Sequence, residues 1–138
     1  MTFPARSAAL ALAASALCAG VAAAAAPDWS ALAEVREIEV LTSDADGSPR
    51  ETTIWLVVVD GQGYIRTGGT TWGDNVERSP DVTLRIEGRE YPLRASFVSD
   101  APLRERIVAA FREKYGWTDG LLDVFRGSHP RIMRLEPR

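Results

Sequence analysis

Apolar and polar positions divide this chain into a leader and a patterned body. Ala8 to Val21 is an uncharged, mostly apolar run, whereas beyond Ala26 apolar residues recur with periods of two and of three to four. Ile38, Val40 and Thr42 alternate with Glu37, Glu39 and Leu41, so a half-buried strand is predicted over 36–42. The Asp44 to Pro49 segment ends it with turn chemistry. Residues 52–59, with Ile54-Trp55-Leu56-Val57-Val58-Val59, are apolar on both faces and predict one strand in the middle of a sheet, with Trp55 in the core. Asp60-Gly61-Gln62-Gly63 reads as a hairpin turn into a return strand at 64–67. Gly68-Gly69 breaks that strand, and a short helix is predicted over 71–78, stopped before Pro80.

Val82, Leu84 and Ile86 then alternate with polar residues, Gly88 turns the chain, and a second alternating strand runs through Tyr91, Leu93, Ala95 and Phe97. Asp100 suits a helix cap and Pro102 its first turn. Leu103, Ile107, Ala110 and Phe111 share one face of an amphipathic helix that runs to about Tyr115, and Gly116 closes it. A helical turn at 121–125 and a last strand at 131–135 complete the pattern. Helices placed late, rather than one after each strand, predict an α+β fold: a six-stranded, mostly antiparallel split β-barrel with flanking helices.

Composition sharpens the leader. Thirteen of the twenty alanines fall within the first 26 positions. One basic residue, Arg6, precedes the apolar run, and Ala22 to Ala26 offers small residues for a cut, which is the layout of a secretory signal peptide. Residues 1–25 are therefore expected to be a signal peptide cleaved near Ala25, with residues 26–138 a single exported domain, periplasmic or secreted, touching a membrane only through the leader. The alternative is an uncleaved anchor, for which an alanine-dominated run is poorly hydrophobic. The body has no cysteine, since Cys18 lies in the leader, and 113 residues suffice for a core without disulfides or metal. Its 15 Lys+Arg and 19 Asp+Glu include one lysine, Lys114, and no basic run, which argues against nucleic acid as a partner.

The segment from Tyr64 through Arg66-Thr67-Gly-Gly-Thr70-Thr71-Trp72 and Asn75 to Pro80 and Leu84 resembles the flavin-binding split-barrel superfamily, which includes pyridoxamine phosphate oxidases and deazaflavin-dependent nitroreductases. The resemblance extends over the Trp55 strand, the Gly88 hairpin, the helix ending at Tyr115 and the closing strand, and is closest to a branch known as a domain of unknown function. It implies a site for FMN or deazaflavin at Arg66, Thr67, Thr70, Thr71 and Trp72, a small-molecule ligand, and a homodimer. Thr70 matches the family's phosphate-contacting hydroxyl. Trp72, Asn75 and Pro80 match the deazaflavin branch's W-x-x-N-(x)n-P pattern. The customary Lys before Trp72 is missing, which leaves Arg66 as the basic group nearest a phosphate, with Arg78 second. A helix N-terminus suits a phosphate because its first N–H groups are unpaired and its dipole favours negative charge.

Other readings stand beside these. Arg66 equally suits a strand-end ion pair at the surface, and an aromatic at Trp72's place more often packs a core. Trp117 suits a pocket wall or a subunit contact. His129 is the only histidine and reads as a structural or solvent-facing imidazole, which excludes a histidine-based triad without it and leaves too few ligands for zinc. Asp44-x-Asp46-Gly47 places Thr53 where a calcium loop needs a bidentate Glu, so it reads as a turn, and Asp119 with Asp123 as a solvated pair. Two functions remain open: a flavin- or deazaflavin-binding protein whose cofactor carries any redox chemistry, or a cofactor-free exported interaction domain that kept the barrel.

Overall fold

The computed structural model describes residues 26–116 and 130–138. The expected leader and Cys18, together with Trp117, Asp119, the 121–125 turn, Asp123 and His129, lie outside the described residues. Seven strands and two helices follow a short 3-10 turn at Ser30–Leu32: β1 (Ile38–Ser43), β2 (Pro49–Ile54), β3 (Val57–Val59), β4 (Gln62–Thr67), α1 (Thr71–Arg78), β5 (Asp81–Ile86), β6 (Arg89–Phe97), α2 (Ala101–Tyr115) and β7 (Arg131–Pro137). They form one sheet in the order β2-β1-β5-β6-β7-β4-β3, with every neighbouring pair antiparallel.

That order corrects the expected six strands and explains how the sheet curls. The run 52–59 is not one central strand. It splits into the end of β2, paired to β1 up to Ile54↔Ile38, and β3, paired to β4 from Val57↔Tyr64, at opposite edges of the sheet. Ile54 and Val57 are three residues apart and so no more than about 11 Å apart. The two edges are therefore close neighbours, and the sheet bends into a half-barrel with Trp55 and Leu56 crossing its seam. Continuous apolar character here reflects burial at the crossing, not a strand flanked on both sides.

A backbone that leaves one edge for another loses its ladder partners, and a buried polar group without a partner is costly. Helix α2 resolves this. Tyr115 Oη accepts the Leu56 N–H at 3.0 Å and lies 2.7 Å from Arg36 O and 2.9 Å from Leu56 O, either of which can take its proton. Lys114 Nζ donates to Val35 O and, at 2.7 Å, to Leu56 O. Burial holds the Tyr115 proton more tightly than usual and pushes the Lys114 ammonium down.

Two apolar clusters follow from alternation along the strands. Inside the barrel, Val40, Leu84, Leu93, Ile65, Met133 and Leu135 pack with Trp29, Trp72 and Val76. On the other face, Val57, Tyr64 and Ile132 meet Ile107, Phe111 and Tyr115 of α2. Both faces of β4 are thus covered, and Gly63 through Thr67 are all buried. Asp100 caps α2 by accepting from Leu103 N at 3.0 Å, and Pro102 sits in the first turn. Both β3–β4 and β5–β6 turn through two residues with positive φ, Asp60-Gly61 and Glu87-Gly88, the pattern that suits the strand twist. Gln62 and Gly63, expected in the first turn, are strand residues. No helix among the described residues is long and apolar enough to cross a membrane.

Candidate functional site

The end of β4, the start of α1 and the seam crossing meet around a cleft of about 260 Å³, lined by Thr53, Ile54, Trp55, Arg66, Thr67, Gly68, Thr70 and Trp72. Four of the five residues singled out from the sequence therefore border one space. The fifth, Thr71, is exposed in the first turn of α1, and its side chain does not line the cleft.

Each has a distinct reason for its place. Thr70 is the N-cap of α1: its backbone is extended and its Oγ1 accepts from Gly73 N at 3.2 Å. Its hydroxyl also meets that of Thr67 at 2.5 Å, tying the strand end to the helix start. The N–H groups of Thr71 and Trp72 belong to the first turn, where no carbonyl of the helix reaches them. Trp72 turns inward and is 5% exposed, joining the barrel core, so its contribution to the cleft is a buried wall. Arg66 is not a surface strand-end residue: it is 9% exposed, with its guanidinium carbon 4.2 Å from the centre of the Phe111 ring. Burial and the nearby Arg112 bring its pKa down to about 10, so it still carries its charge at neutral pH.

Asn75, the second landmark of the sequence pattern, is a structural latch. Its Nδ2 donates to Thr42 Oγ1 at 3.0 Å and Asp44 Oδ1 at 2.8 Å, and its Oδ1 accepts from Arg78 Nη2 at 2.8 Å. The Asp44 turn is thereby fastened to α1, and Arg50 and Asn75 hold the Asp44 carboxyl below the ordinary range. Arg78, the second basic candidate, is spent on Asn75 and Ser43 O.

Three contributors were not singled out from the sequence. Arg131 at the start of β7 donates to Gly68 O from Nε and Nη2, at 3.2 and 2.6 Å, and reaches Asp74 at 3.0 Å and Glu77 at 3.3 Å. It fixes the Gly68–Thr70 turn, and its charge is already matched by two carboxylates. Gly73 leaves room for it: a Cβ there would lie 2.4 Å from Arg131 Nη2 and 2.6 Å from Thr67 Cγ2. Trp55, expected in the core, is half-buried on the cleft wall and stacks on Tyr115, with ring centres 4.2 Å apart and planes within 4°. Only the long-range pairing of β4 with β7 could have revealed Arg131, and only the seam could have revealed Trp55.

The donor set suits one anionic group. Arg66 supplies charge, Thr67 and Thr70 hydroxyls, and α1 its N-terminal field. The volume falls just under the roughly 300–1,000 Å³ usual for small-molecule sites, so the cleft has room for a small anionic group and not for a whole nucleotide-sized molecule. Among the described residues, no lining side chain is His, Cys, Met or Tyr, the side chains that hold haem iron. No three His, Cys, Asp or Glu side chains converge as a metal site among the described residues.

A search of curated proteins finds no match. Solved structures share the fold. The heme storage protein HutZ of Vibrio cholerae is 19% identical with a TM-score of 0.60, covering 75% of this chain and 82% of its own. A putative pyridoxamine 5′-phosphate oxidase of Listeria innocua is 18% identical with a TM-score of 0.58, covering 79% and 89%. An F420-H2-dependent reductase, FDR-A, is 19% identical with a TM-score of 0.57, covering 74% and 95%. Residues 28–133 match the family described as an uncharacterized protein conserved in bacteria, DUF2255. The chain belongs to that family, and it shares the split-barrel fold of these solved structures.

Proposed function

We propose that this is an exported split-barrel protein that binds the phosphate end of a flavin or deazaflavin cofactor in the cleft between β4, α1 and the seam, with a second copy of the chain enclosing the remainder of the ligand. The observation that carries the reading is the convergence of Arg66, Thr67 and Thr70 on one cleft at the N-terminus of α1. Fold neighbours titled as a pyridoxamine phosphate oxidase and an F420-H2-dependent reductase support the ligand class by analogy. The small cleft supports the need for a second copy, because an open site of this size covers only part of a ring system.

When bound, such a cofactor supplies hydride transfer. The chain's own residues would do the rest. Arg66 neutralises charge from a site where desolvation strengthens it. Thr67 and Thr70 donate hydroxyl protons, and for both to face a ligand their mutual hydrogen bond must open. Among the described residues that line the cleft, Arg66 is the only ionisable side chain, and with the two threonine hydroxyls it would bind and orient the ligand. Export rests on the alanine-rich leader, and an intact mass beginning at or near Ala26 in the exported fraction would support it.

The test is the affinity of the full chain for FMN by quenching of flavin fluorescence, against Arg66→Gln and Thr70→Val. Loss of a charge-assisted hydrogen bond corresponds to about 10- to 100-fold weaker binding. Equal affinity in both variants would remove the cleft from the reading. The second reading, a cofactor-free interaction domain, is favoured by the Thr67–Thr70 hydrogen bond, which already satisfies the two hydroxyls without a ligand.

A further inference from the structure

Anion binding at Arg66 and Thr70 leaves one wall of the cleft without a part to play. Trp55 is held there with unusual firmness. The chain on either side is anchored in β2 through Ile54↔Ile38 and in β3 through Val57↔Tyr64. One face of the indole lies flat on Tyr115, and the Tyr115 hydroxyl is fixed by the Leu56 backbone. The Arg36 guanidinium carbon lies 5.0 Å and Lys114 Nζ 5.3 Å from the centre of the Tyr115 ring. A tryptophan whose purpose was to fill the core would be buried as Trp29 and Trp72 are, at 6% and 5% exposure. Trp55 instead stays half-buried, and it borders the same cleft as the Arg66 cation.

We propose that Trp55 is a preorganised stacking platform for the planar heteroaromatic part of the ligand, whose anionic substituent reaches Arg66, Thr67 and Thr70. The chemistry that the cleft recognises is then a flat heteroaromatic ring with an anionic tail. Tyr115 covers one face of the indole, so the ring can take one partner and no more. Because the indole is already immobilised, stacking costs little rotamer freedom. The platform deepens the ligand-binding reading of this cleft and rests on it.

Riboflavin carries the ring without the phosphate, so it separates the two ideas. Full-length protein, Trp55→Leu and Trp55→Phe are titrated with riboflavin and with FMN by flavin fluorescence, with thermal melting to confirm folding. We expect both ligands to be quenched by the wild type, Trp55→Leu to bind about tenfold more weakly, and Trp55→Phe to recover most of that loss. FMN binding equally well to wild type and Trp55→Leu overturns the platform and leaves the anion site standing. Riboflavin binding as tightly as FMN overturns the anion site and leaves the platform standing. If neither ligand binds the wild type, both are overturned.

Discussion

Replacing Tyr115 by Phe removes one oxygen from the seam and leaves the rest of the ring in place. That oxygen accepts the Leu56 N–H at 3.0 Å, and Leu56 is fully buried, so water cannot substitute for it. The Leu56 carbonyl keeps Lys114 Nζ at 2.7 Å and loses little. The variant therefore strands one buried donor and gives up a hydrogen bond to Arg36 O or Leu56 O. An unsatisfied buried N–H costs about 1–3 kcal/mol. We expect a loss near 2 kcal/mol, a large share of a total stability of roughly 5–15 kcal/mol. For a domain of this size that lowers Tm by about 8–15 °C. Calorimetry measures the shift, and hydrogen exchange shows whether the Leu56 amide becomes the fastest-exchanging buried amide. The Trp55 stack should survive, as the ring is unchanged. A fall of less than about 2 °C, with the Leu56 amide still protected, would refute the idea that α2 seals the barrel through this hydroxyl.

Three further outcomes follow from the same contacts. In Gly63→Ala the new methyl would sit 2.5–2.7 Å from carbons of the Trp29 ring, so Trp29 must leave its place and chemical denaturation should show a loss of about 1–3 kcal/mol. Asn75→Ala unfastens α1 from Thr42 and Asp44 and should cost about 1–3 kcal/mol, seen as a lower denaturant midpoint with an unchanged slope. Burial raises the Tyr115 pKa above its usual 10, so this group's contribution is complete below pH 10 and is lost as pH rises through the folded value. An ultraviolet titration of wild type minus Tyr115→Phe should show a phenol ionising above pH 10, and a difference curve centred at or below 10 would contradict it.

Local structure was legible where a single segment determines it. The bounds of α1 follow from Gly68-Gly69 and Pro80, and the caps of α2 from Asp100 and Gly116, because such signals lie within a few positions of the helix ends. Alternation identified β1, β5 and β6 because each shows the barrel a distinct inner face. It failed at 52–59, where hydrophobicity reports that a segment is buried and not which neighbours bury it. The same limit applies to the cleft. Thr67, Thr70 and Trp72 were visible as a strand-to-helix pattern, yet whether Trp72 faces core or cleft, and that Trp55 crosses to meet it, depends on pairing between β4, β7 and the two edges. Arg131 lies 58 positions beyond Gly73, and nothing local marks it as the residue that needs that glycine.

The most direct test of the ligand-binding claim is an equilibrium titration of the full-length protein with FMN and with an F420-type deazaflavin, followed by fluorescence and calorimetry. Saturable binding of one of them, tighter than that of its phosphate-free counterpart and weakened in Arg66→Gln, is the expected result. A folded protein that neither quenches nor releases heat with either cofactor would contradict the claim and leave the barrel as a cofactor-free interaction domain.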